Sequence, residues 1–177
     1  MIASDGSEIA IPGLYLLVAP GRRFFNLGKM PVGEYKAIRF DVGVDDSTNQ
    51  KTDPSDYPYQ HPLGLANADM FHDDIYGYTF LKMEGLADTT QAATGQPTAP
   101  IDYQILTAPL RRTISLQMNF TVERNKDLLL NLDAEYANLF NGIDLQHELS
   151  TSTFTNFMLA EKIANNEVDV FGWATFR

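Results

Sequence analysis

Two histidines and a methionine fall within one polar stretch, HPLGLANADMFHDD, where His61 and His72 stand eleven positions apart with Met70 between them. Neutral imidazole and thioether are donors that together suit copper, Cu(I) above all. A spacing of eleven is too wide for a ligand pair on one helix or strand, so only a folded-back loop would unite the three. The third histidine, His147 in DLQHELS, has no such neighbours and is expected to be exposed. Carboxylates are plentiful nearby, as Asp45-Asp46, Asp53, Asp56, Asp69 and Asp73-Asp74, yet no segment has the spacing of a calcium loop with its central glycine and closing glutamate. Solvated acidic loops are the expectation. Asp73 and Asp74, as neighbours in an extended chain, would point to opposite faces and make a poor acid/base pair for glycoside hydrolysis. There is no G-x-S-x-G elbow, phosphate loop or dinucleotide fingerprint, so the chain is expected to be non-enzymatic.

Composition narrows the chemistry further. The chain has no cysteine, which removes disulfides, zinc-thiolate sites, iron-sulfur clusters and thiol nucleophiles together. Any metal must then be held by His, Met, Asp, Glu or backbone oxygen. With 23 acidic and 13 basic residues the formal net charge is -10, which repels nucleic acid and anionic lipid surfaces. No window reaches the roughly 18 consecutive apolar residues of a membrane helix, and the first twenty residues lack the basic start and apolar run of a secretory signal. No membrane insertion is expected.

The elements that must position these side chains read mainly as strands. In TISLQMNFTV, Ile114, Leu116, Met118, Phe120 and Val122 alternate with polar residues, the pattern of a strand with one buried face. Ile38, Phe40, Val42 and Val44 alternate likewise after a turn at Pro31 and Gly33. Tyr76 to Met83 reads as a third strand, central in its sheet, with Tyr76 and Tyr78 on one face. Leu14 to Val18 and Leu128 to Leu132 complete the set. Phe157, Met158, Ile163 and Ala164 stand at helical spacing, with Thr153 or Thr155 as N-cap, and a short helical turn is expected over Ala134 to Phe140. Ala87 to Pro100 reads as a long polar loop. The prediction is one domain over residues 1–177, mainly β: an antiparallel β-sandwich with one C-terminal helix and a short helical turn.

GEYKAIRFDVGVDDSTN, then HPL, then Met70-Phe71, Gly77-Tyr78 and FLKMEG resemble the MbnP-like family of extracytoplasmic copper-binding proteins, as do IDYQI, the Thr113 to Val122 strand and the LFNGID…STSTFT…AEKIANNEVDVF tail. Members typically show a G-x-Y-x-x-I-x-F-x-I-G-V-D strand and a GMFWxWxxGYxFLKLEG segment. The resemblance implies a periplasmic or extracellular β-sandwich, and His61 matches a histidine seen in many members. It also exposes departures. One family tryptophan, converted to kynurenine in some members by a di-haem partner enzyme, lies at the copper site; the two tryptophan positions are His72 and Asp74 here. A frequent family histidine corresponds to Leu106. The resemblance therefore implies a rebuilt copper site of His61, Met70 and His72, or its loss in a structural or surface-assembly module. Members also carry further strand material before the block matching Asp5 to Val18, so an open sheet edge available to a protein partner or to self-association is expected.

Overall fold

The computed structural model describes residues 1–92 and 94–174. Nine strands are assigned among them: β1 (Ile2–Ala3), β2 (Gly33–Val42), β3 (Phe71–Asp73), β4 (Gly77–Ala87), β5 (Ala99–Leu106), β6 (Arg112–Val122), β7 (Leu132–Ala134), β8 (Ser150–Ser152) and β9 (Phe171–Trp173). They build a three-stranded sheet in the order β1-β2-β6, a four-stranded sheet in the order β3-β4-β5-β8, and the small pair β7-β9. Every pairing is antiparallel except β5 with β8, which run parallel. The protein is thus mainly β with the expected sandwich architecture. The main sheets meet where Gly43, at φ +118°, leaves β2: a Cβ there would lie 2.7 Å from the Phe80 ring of β4.

Helix α1 (Asp46–Asn49) follows β2, and α2 (Phe157–Asn166) covers the four-stranded sheet. The spacing of Leu159, Ala160, Ile163 and Ala164 puts them on one face of α2, where they are buried against Ile101, Tyr103 and Ile105 of β5. Burying Leu159 and Ile163 contributes about 1.5–3 kcal/mol each. Met158, one position off that stripe, is 81% exposed. The N-cap is Asn156, whose side chain accepts the Leu159 N–H at 3.2 Å. Thr153, expected as a cap, instead ties the segment to β5: its hydroxyl accepts the Leu106 N–H at 3.1 Å and donates to the Leu106 carbonyl at 2.9 Å. The expected short turn is a 3-10 helix over Tyr136–Phe140, closed by Gly142 at φ +68°.

Four local expectations are corrected. Leu14 to Val18 form no strand: Pro-Gly turns flank the stretch, and it is held by the Tyr15 hydroxyl, not by a ladder. Leu128 to Leu130 find no partner strand among the described residues, leaving Leu129 66% exposed; the Asn131 carbonyl accepts the Ala174 N–H at 3.1 Å, and the ladder itself starts at Leu132 opposite Trp173. Tyr76 belongs to the turn before β4, so it shares no strand face with buried Tyr78. Finally, β6 does not keep one buried face. Gln117 pairs Ala37 while Phe120 pairs Tyr35, so Met118 and Asn119 together oppose Lys36 as a bulge. Beyond it, Phe120 and Val122 switch to the face of Gln117, and the Phe120 ring stacks on Tyr35 at 5.3 Å. The polar connection between β4 and β5 forms as expected, organised by Asp88, which accepts from the Thr90 and Gly95 N–H groups at 2.9 and 2.7 Å; Ala93 within it lies outside the described residues.

Candidate functional site

The loop between β2 and β4 is built by the acidic residues that composition marks as solvated. Asp45 caps α1, accepting the Thr48 N–H at 3.0 Å together with the Ser47 and Tyr15 hydroxyls, both at 2.5 Å. Burial would raise its pKa, but the three donors outweigh that and hold it well below the usual carboxylate range. Asp53 and Asp56 form a capping box around the 3-10 turn Pro54–Asp56. These carboxylates are spent on backbone and hydroxyl donors, which accounts for their number without a cation.

A second device fixes the loop to the sheet. The buried Asn49 amide donates to the Tyr76 carbonyl at 3.0 Å and accepts the Tyr78 N–H at 2.7 Å, pairing with the backbone on both sides of Gly77. Gly77 has φ +73°, and any Cβ there would collide with the Asn49 backbone carbonyl. The GVDDSTN segment and the GY of β4 are therefore two halves of one clamp. Below it lies a small core of Val44, Leu63 and Tyr78, flanked by Tyr15, Tyr57, Phe71 and Phe80. The Tyr78 hydroxyl donates to the Leu63 carbonyl at 3.1 Å, and burial pushes its pKa up to about 12.

The three predicted ligands lie around this clamp in different settings. His72 is on β3, its ring against Tyr76 and Phe154 with centroids 5.7 and 5.6 Å away. Its Nδ1 lies 2.9 Å from Asp73 Oδ2. Because a carboxylate only accepts, Nδ1 carries the proton, and in the neutral ring Nε2 keeps its lone pair. Asp73 is itself immobilised, since Oδ1 accepts the N–H groups of Tyr76 at 2.7 Å and Ile75 at 2.9 Å. The Tyr76 N–H is the main cause of its lowered pKa. His61 has the opposite tautomer. Its ring stacks on Tyr57 at 4.5 Å and meets Tyr15 edge-on at 6.1 Å, and its Nδ1 accepts the Leu63 N–H at 3.2 Å. The Nδ1 lone pair is occupied and Nε2 bears the proton, so His61 ligates a metal through Nε2 only by giving up the Leu63 bond. Met70 is half-buried at the end of the 3-10 segment Leu65–Met70, directly before β3.

Fit to copper is thus unequal across the set. The donor types suit Cu(I), and an imidazole oriented by a carboxylate is a common metal-site arrangement. No group of three or more His, Asp or Glu side chains able to hold a metal ion occurs among the described residues. His72, in its neutral form, keeps an outer nitrogen with a free lone pair; His61, in the tautomer its backbone contact imposes, does not. His147 is exposed as expected, 2.8 Å from Asp144. Sequence spacing misses three residues that matter here: Asp73 as the group orienting His72, Asn49 as the clamp, and Phe154 as a ring against His72. The first is signalled only by a carboxylate adjacent to a histidine in a turn.

Among the described residues no helix is long and apolar enough to cross a membrane. Searches of curated proteins and of solved structures return no match to the chain. The sequence does match the family model described as MbnP over residues 1–158, a span that takes in both halves of the Asn49–Gly77 clamp and all three predicted ligands, and the chain therefore belongs to the MbnP family.

Proposed function

We propose that this protein is a non-enzymatic, extracytoplasmic copper-binding member of its family in which His72 Nε2 is the principal ligand, with the Met70 thioether as the second. The observation that carries the reading is the Asp73 carboxylate held by two backbone N–H groups, which sets His72 Nδ1 as the donor and, in the neutral ring, leaves the lone pair on its outer nitrogen. Family membership supplies the prior for copper and for the extracytoplasmic compartment. His61 joins the metal only in a conformer that has exchanged tautomer. Bound there, Cu(I) would be carried by soft and intermediate donors that stabilise the reduced ion.

Titrating the apo protein with Cu(I) against a competing chelator tests this. Binding above the chelator's background that is lost in His72→Ala, weakened in Met70→Ala and little changed in His61→Ala is expected. Binding no tighter than background sinks the reading. The second reading, a structural or surface-assembly module that keeps the fold without metal, is favoured by the separate aromatic packing of the two histidines. Absence of copper binding together with concentration-dependent association in light scattering is its signature.

A further inference from the structure

The joint between α2 and β9 contains an ionisable group that the loop site does not use. Glu167 opens the 3-10 turn Glu167–Asp169 and is 2% exposed, yet neither carboxylate oxygen has a hydrogen-bond partner among the described residues. The turn packs on α2, β6, the Tyr136–Phe140 helix and β9. On β9, the Trp173 indole Nε1 is enclosed and likewise without a partner among the described residues. Of the charged groups on those elements, Arg112 of β6 is the one whose field acts on Glu167. Its guanidinium Nε donates elsewhere, to Asn165 Oδ1 at 2.9 Å, as does Nη1, to the Pro109 and Arg111 carbonyls at 2.8 and 2.9 Å. On α2, Lys162 faces Glu148 at 3.8 Å and Glu161 is exposed; Tyr136 is exposed, and β9 has no charge.

We propose that the Glu167 carboxyl is a proton-operated latch: protonated, it keeps the joint between α2 and β9 closed, and ionised, it releases β9 and exposes Trp173. A neutral carboxylic acid tolerates this dry site, whereas a carboxylate without donors does not. Burial raises the pKa to about 8 against an ordinary value of 4.5, outweighing the opposing charge of Arg112. The sign follows from the raised value. Closure is fully present below pH 4.5, weakens as pH rises, and reaches its minimum once the folded carboxyl ionises near pH 8. Across that window the opening constant grows about tenfold per pH unit.

Trp173 is the single tryptophan of the chain and reports directly on β9. Acrylamide quenching of its fluorescence in the full chain, followed over that pH window, is expected to increase towards pH 8 and then level, with unchanged far-UV circular dichroism. Glu167→Gln and Glu167→Met, each close in size and uncharged, are expected to stay at the low-pH level throughout. Wild-type quenching that is flat with pH, or that rises equally in both variants, overturns the latch. So does loss of the far-UV signal over the same range, which would mean global unfolding and not release of one strand.

Discussion

Replacing Asn49 by alanine removes both hydrogen bonds of the clamp at once. The Tyr76 carbonyl loses a donor at 3.0 Å, a neutral hydrogen bond with a net contribution of about 1 kcal/mol. The other half costs more, because the Tyr78 N–H, buried and bonded at 2.7 Å, is left without an acceptor, a penalty of about 1–3 kcal/mol. The sum is about 2–4 kcal/mol, a sizeable part of the stability of an ordinary domain. Urea denaturation at pH 7 should show the midpoint moving to lower denaturant with the slope preserved. Asn49→Asp keeps an acceptor for Tyr78 but sets a carboxylate against the Tyr76 carbonyl, so it should lose stability at neutral pH and regain part of it on acidification. A loss below 1 kcal/mol for Asn49→Ala would refute the clamp as an energetic feature and leave it a geometric coincidence.

Two further outcomes follow from neighbouring residues. Gly77→Ala forces a Cβ into Asn49 at a positive φ and should cost about 2–4 kcal/mol by the same denaturation assay; combined with Asn49→Ala it should remain destabilising, because removing the amide relieves the side-chain clash but leaves the one with the Asn49 backbone carbonyl. Asp45 has a depressed pKa, so its stabilising contribution is present above about pH 4 and is lost as pH falls through the folded value. Asp45→Asn should therefore cost about 1–2 kcal/mol at pH 7 and almost nothing in strong acid, read as convergence of the two melting curves.

Strand identity was legible where alternation coincided with a long ladder. Ile38 and Phe40 pair with Leu116 and Ile114, and period-two patterning at both sites found them. The same pattern misled at Met118, because alternation continues in sequence through a bulge that shifts the faces in space, and a bulge depends on the partner strand opposite. Leu128 to Leu130 failed for a related reason: apolar β-prone residues become a strand only when another strand lies beside them, and that is a tertiary fact. The N-cap moved from threonine to Asn156 because Thr153 bonds across to Leu106, a contact 47 positions away that no local rule contains.

The histidines mark a sharper limit. In sequence His61 and His72 are equivalent loop imidazoles, and spacing gives no ground for preferring either. The fold distinguishes them by what each Nδ1 meets, a donating Leu63 N–H in one case and an accepting Asp73 carboxylate in the other. Those contacts fix opposite tautomers, and only one leaves an outer nitrogen free to bind a metal. Asp73 in turn holds its place through the Tyr76 N–H, while the Tyr76 carbonyl is held by Asn49. The orientation of His72 is thus an end effect of the same clamp that joins the two signature strands, so if the proposed copper site holds, loosening Asn49 should disturb copper affinity as well as stability, with no ligand touched.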